Sequence, residues 1–202
     1  MWQVAALAAL GACGEVVSDR AEQVAPDAGA AVEAIDAAVD AAPACDPTPA
    51  VISGVTASTA MGSSAGTRLD ALTDRSGLVL DVHDCNDATT WLAASGVQGS
   101  VTFDLGAIYD LTQVRIWNNG QITGQRGART VNFRTSLDNK AVFALPGSPT
   151  LLTRATTCSV APQTFSANRT RARFVIIEIS SSFGDTRAGL AEVELAGARV
   201  CD

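Results

Sequence analysis

The sequence predicts an all-β body built as an antiparallel sandwich, and three observations predict it. Short runs alternate apolar and polar residues with period two, Gly, Asn and Pro separate them, and nothing past residue 50 carries a convincing helical stripe. Runs of this length and spacing suit two stacked layers, because each needs only one face covered. In chain order, Ser100–Leu105 places Val101, Phe103 and Leu105 on one face. A turn is expected at Gly106–Asp110, and Leu111–Trp117 alternates again. Val131–Thr135 alternates up to a turn at Asp138-Asn139. Arg173–Ile179 is rich in β-branched residues, with Val175, Ile177 and Ile179 on one side, and Leu190–Leu195 alternates towards the C-terminus.

The residues before this body read differently. Of the 202 residues, those from 14 to 46 carry eight acids and one base. The formal charge of −7 therefore belongs to this stretch, and the rest is neutral. A neutral body lacks the basic footprint of a nucleic-acid binder. No apolar run reaches the roughly 18–20 residues that a spanning helix needs, which argues against a polytopic helical membrane protein. Residues 13–50 are rich in Ala, Asp and Pro, and Pro43, Pro47 and Pro49 mark their end. They are expected to form a disordered, self-repelling tether. Upstream, the apolar run Val4–Leu10 leads into Leu10-Gly11-Ala12-Cys13, which resembles a bacterial lipobox. That resemblance implies a lipoprotein-type signal over residues 1–12, a lipid on Cys13, export, and anchorage to the cell-envelope membrane.

Four cysteines remain after Cys13: Cys45, Cys85, Cys158 and Cys201. An even number in an exported chain points to disulfides, with three connectivities open. Cys45 opens the folded region and Cys201 is the penultimate residue. Domain termini often lie close together, so Cys45–Cys201 is expected, leaving Cys85–Cys158. Loop-closure entropy makes such links worth up to about 5 and 4.5 kcal/mol. Zinc is poorly supported, because no cysteine pair has the C-x₂₋₄-C spacing.

The order of these strands resembles the discoidin-like domain, also called the coagulation factor V/VIII C-type or galactose-binding-like domain. The resemblance covers about residues 51–197, within a domain of residues 51–202. It rests on Val55-Thr56-Ala57-Ser58, on Asp84-Cys85-Asn86-Asp87-Ala88-Thr89-Thr90-Trp91 and on Val101–Gly106. It continues through Val114-Arg115-Ile116-Trp117-Asn118, Ala172–Val175 and Gly189–Glu194. It implies an eight-stranded antiparallel jelly-roll sandwich that meets ligands, commonly sugars or lipid head groups, through loops at one end. The family's frequent bridge between its termini agrees with Cys45–Cys201. The stretch from about Gly66 to Val79 is longer than is usual there.

Two sites follow. The resemblance implies a structural calcium ion held by Asp84, Asn86 and Thr89 from the loop and Glu192 from the last strand, an oxygen set of the type calcium takes. Cys85 stands where the family has Gly, a residue suited to positive φ. Separately, the Gly-rich segment Trp117–Arg129 gathers amides, guanidinium groups and an indole. Sugars call for that mixture of planar donors and an aromatic face. The expected ligand residues are Trp117, Asn118, Asn119, Arg126 and Arg129, joined by Phe183 and Arg187 from a second loop. His83, alone in sequence between Val82 and Asp84, reads as a loop or packing residue rather than a base.

One His and one Lys leave little material for histidine or Schiff-base chemistry, and neither a nucleophile–base pair nor two opposed carboxylates are apparent. The expected function is a non-catalytic, surface-tethered binding module for carbohydrate or another envelope ligand. A protein-interaction or adhesion module docking a surface protein is the alternative, with a glycosidase-type enzyme behind it.

Overall fold

The computed structural model describes residues 46–201. The expectations for Cys13, for Cys45 and for the signal and acidic stretch up to residue 45 lie outside the described residues. Eleven strands occur among the described residues: β1 (Ala50–Val51), β2 (Thr56–Thr59), β3 (Leu78–Val79), β4 (Val82–His83), β5 (Trp91–Leu92), β6 (Gly99–Asn118), β7 (Ala128–Ser136), β8 (Phe143–Ala144), β9 (Thr150–Leu151), β10 (Gln163–Ser182) and β11 (Gly189–Arg199). Helical structure in the described region is limited to single turns at Asp70–Leu72, Asp87–Thr89 and Gln121–Gly124.

All strand pairings are antiparallel, in the order β1-β11-β6-β10-β7-β8, with β2 on β6, β5 on β11 and β9 on β7. The sandwich arises from two 20-residue strands that each serve both layers. The first part of β6 pairs with β2 and with the end of β10 (Val101 with Ile177), and that end of β10 also pairs with β7 (Ile177 with Phe133). The second part of β6 pairs with β11 and with the start of β10 (Val114 with Leu195 and Phe165). The expected turn at Gly106–Asp110 is thus a bend inside one continuous strand. It survives because β10 shifts register twice alongside it, between Ser166 and Thr170 and between Ala172 and Phe174.

The alternation translates directly into the core. Val101, Phe103, Leu105, Val131, Phe133, Val175, Ile177 and Ile179 from one layer meet Leu111, Val114, Ile116, Leu190, Val193 and Leu195 from the other. At ~25 cal/mol per Å² of apolar surface removed from water, this interlayer packing is the main stabilising term. Trp91 is wholly buried in the same core and donates its Nε1–H to the Gly62 carbonyl at 3.0 Å.

The outer face of β11 and β6 is not left to solvent. Residues 70–83, including the small β3–β4 hairpin, form a roof over it. Trp117 sits under this roof with Val160 and Ala191, packed by Leu78. The disulfide Cys85–Cys158 holds the roof's end to the loop before β10, as expected. His83 and Val160 exchange backbone hydrogen bonds at 2.9 Å beside it. His83 is fully buried, a packing residue as read from the sequence. Cys201 is disulfide-bonded.

Candidate functional site

At the end of the sandwich where β6 gives way to β7 and β10 to β11, two loops zip together through their backbones. Phe183 N–H donates to Gly127 O at 3.2 Å, Asp185 N–H to Gln125 O at 3.2 Å, and Gly189 N–H to Arg126 O at 2.8 Å. The first loop turns tightly because Ile122 and Thr123 adopt left-handed φ of 49° and 50°. Gly124 follows at φ 75°, where a Cβ would lie 2.0 Å from the Ala155 carbonyl, so only glycine fits.

Side chains then run in one chain of hydrogen bonds across four loops. Gln121 donates to the Asp87 carboxylate and to Thr90 Oγ1, and its Oε1 accepts from Arg126 at 3.0 Å. Arg126 Nε donates to Asp185 Oδ2 at 3.3 Å. Asp185 Oδ1 accepts the Arg187 N–H at 3.1 Å, and the Arg187 guanidinium donates to Ser64 Oγ at 2.8 Å. Burial alone would push the Asp185 pKa up, but the Arg187 N–H and the two guanidinium groups outweigh it and hold the carboxyl below its ordinary value. Asp185 thus stays ionised and fixes both arginines. Their side chains remain 22% and 27% exposed, oriented but within reach of solvent. Fixed planar donors at a rim can bind hydroxyl or carboxylate oxygens without first losing rotamer freedom.

The residues expected at this rim divide. Arg126, Arg187 and the half-buried Phe183 are there, and Arg129 is exposed on β7 nearby. Trp117 is not: its side chain is fully buried, its Nε1–H donates to Asp81 O at 3.0 Å, and Arg115 stacks 4.7 Å from the ring centroid. The indole is a structural post, because the roof covers the face on which alternation places it. Asn118 and Asn119 are also buried. Asn118 ties Ala128 O and Thr153 O at 2.8 and 3.0 Å, and Asn119 Oδ1 accepts the Gln121 N–H. They shape the loop and do not reach its surface. Gln121, Ser64, Asp87 and Thr90 were not foreseen as rim residues, although Gln121 lies in the Gly-rich segment and Asp87 and Thr90 lie in the Asp84–Trp91 motif.

The expected calcium ligands also divide. Asp84 Oδ1 accepts from Thr89 Oγ1 at 2.5 Å and from the Asn86 N–H at 3.1 Å, a closed turn at the surface. Cys85 does not take a positive φ, so the turn does not require the family's glycine. Gly77 presses on this turn at φ 76°, where a Cβ would meet Asp84 Oδ1 at 2.8 Å. Glu192 lies beneath residues 73–75 at 1% exposure, with Oε2 lacking a partner. Burial, with the negative Asp74 nearby, pushes its pKa up to about 8 against the pull of the Arg75 N–H and guanidinium. Among the described residues, no three His, Cys, Asp or Glu side chains gather closely enough to hold a metal ion.

No protein-family model matches the chain, and no curated protein does. Solved structures do. The family 32 carbohydrate-binding module of Clostridium perfringens NanJ, solved with galactose, superposes with a TM-score of 0.56 at 13% identity, over 74% of this chain and 99% of that one. The family 32 module of AlyQ, solved with 4,5-unsaturated mannuronic acid, gives 0.52 at 19% identity, over 73% and 97%. A family 89 glycoside hydrolase from Clostridium perfringens gives 0.55 at 19% identity over 74% of this chain, which spans only 15% of that enzyme. The likeness is one of architecture, and it agrees with the sequence motifs: the described residues form the galactose-binding-like, discoidin-type β-sandwich seen in family 32 carbohydrate-binding modules.

Proposed function

We propose that the chain is a non-catalytic carbohydrate-binding module that meets its ligand at the rim formed by Arg126, Arg187 and Phe183. The observation that carries this reading is the Gln121–Arg126–Asp185–Arg187 network, which fixes two solvent-reachable guanidinium groups across paired loops. Guanidinium forks match vicinal hydroxyls and sugar acids, and Phe183 supplies an apolar surface for a ring face. Neighbours of this fold solved with galactose and with an unsaturated mannuronic acid support a saccharide ligand, and matches that span nearly the whole of those binding modules support a role without turnover. Part of the same proposal is that Cys13 carries a lipid and the acidic stretch holds the module off the envelope membrane. The test is a glycan array probed with the purified chain. Binding that free sugar competes away supports the reading. A blank array with capture of an envelope protein instead moves the chain to the adhesion class. Mass spectrometry after expression in a lipoprotein-competent host checks Cys13, and an unmodified, uncleaved N-terminus rejects the anchor.

A further inference from the structure

The calcium ion that the family resemblance implies should sit between the Asp84 loop and Glu192, yet the charges there are already matched within the protein. The roof segment, which overlaps the stretch longer than the family's usual one, brings Arg75 against the last strand. Its guanidinium pairs with the carboxylate of Glu194, which is 7% exposed, and its backbone N–H donates to Glu192. Arg75 does this at a φ of 60°, a left-handed conformation that a non-glycine residue keeps only when its surroundings hold it there. Its neighbours are neutralised in turn. Arg115 bridges Glu194 at 2.8 Å and Asp81 at 2.5 Å, and Arg68 takes Asp74 at 2.8 Å. Asp84 is closed on Thr89 and Asn86. Of the buried side-chain oxygens among the described residues, Glu192 Oε2 and the Ser76 hydroxyl are left without a partner, and two oxygens are far short of the six to eight that calcium requires.

We infer that this chain replaces the structural calcium with its own cation: Arg75 supplies the positive charge that joins the roof to the last strand. The Asp84-Asn86-Thr89 turn then closes on itself as a hydrogen-bonded loop and no longer serves as half of a metal site. The inference concerns the support of the sandwich and does not depend on the proposed ligand. It makes the fold indifferent to chelators, unlike a sandwich pinned by a metal.

The experiment measures melting temperature in EDTA and in excess calcium for the wild type, Arg75→Gln and Arg75→Lys, with calcium binding to the wild type followed by calorimetry. The expected result is one melting temperature for the wild type in both conditions and no calcium heat. Arg75→Gln should melt roughly 2–5 °C lower in both conditions, with Arg75→Lys in between, because lysine keeps the charge at the same backbone cost. A calcium-dependent rise in the wild-type melting temperature overturns the inference, as does Arg75→Gln melting with the wild type. If Arg75→Gln does not fold, the wild-type calcium measurements still decide.

Discussion

Arg126 Nε lies 3.3 Å from Asp185 Oδ2, a contact between side chains 59 residues apart that joins the β6–β7 loop to the β10–β11 loop. Three backbone hydrogen bonds run alongside it, so the pair sits on a zipped platform and not on two independent loops. Arg126→Ala is expected to weaken saccharide binding about 10-fold or more, on the order of 1.5–3 kcal/mol for a hydrogen bond made by a charged group. Calorimetric titration of wild type and variant checks it, with unchanged far-UV circular dichroism as the control. Equal affinities would remove Arg126 from the site.

Asp185→Asn tests positioning, since Asp185 is expected to act through the two arginines. It should weaken binding less than Arg126→Ala, and Asp185→Ala more than Asp185→Asn, because the amide still accepts the Arg187 N–H. The same titration reads both, and the reverse order would contradict this role.

Trp117 is expected to affect stability without touching ligand. Trp117→Ala removes a fully buried ring and should cost about 3–5 kcal/mol. Trp117→Phe keeps much of the packing but loses the bond to Asp81 O, and should cost roughly 1–2 kcal/mol. Urea unfolding measures both. Trp117→Phe should bind sugar as the wild type does, and a selective loss of affinity would return the indole to the rim.

The pH dependence follows from Glu192. Its pKa of about 8 in the fold lies above the ordinary 4.5, so the native state keeps a proton that the unfolded chain has released. Stability should therefore be highest near pH 4.5, fall as pH rises towards 8, and level off beyond, by up to about 3 kcal/mol at pH 7. Asp104, which Arg173 holds below its ordinary value, works the other way and loses its contribution only in acid below that range. Asp74, Arg75 and Glu194 face Glu192, and none of their contacts requires it to ionise. Glu192→Gln should flatten the curve between pH 5 and 8, as followed by thermal melting. Parallel curves for variant and wild type would contradict the assignment.

Much of this architecture is legible in the alternation. Val101, Phe103 and Leu105, and Val175, Ile177 and Ile179, point inward as their period requires, and Asp138-Asn139 turns where expected, with Asn139 at φ 60°. The roof was not legible. Its strands are two residues long, too short to show a period, and its hairpin turns on Leu80 and Asp81 at positive φ without the Asn-Gly signature. Since the roof decides whether Trp117 and Glu192 meet solvent, the sequence places both on an outer face yet cannot say that this face is covered. The rim was half legible. Its arginines stand out in a Gly-rich loop, but the zipping is done by backbone groups, which every residue carries, and Ser64 comes from a loop more than a hundred residues away.

The most direct test of the proposed rim is amide chemical-shift mapping by NMR during titration with a saccharide that scores on the array. The account predicts shifts concentrated in residues 119–127 and 183–188, with Ser64 and the Arg126 and Arg187 Nε–H signals among the largest. Shifts gathered instead at Asp110, Arg169 and Arg171, in the cleft they line with Pro47 and Cys201, would contradict it.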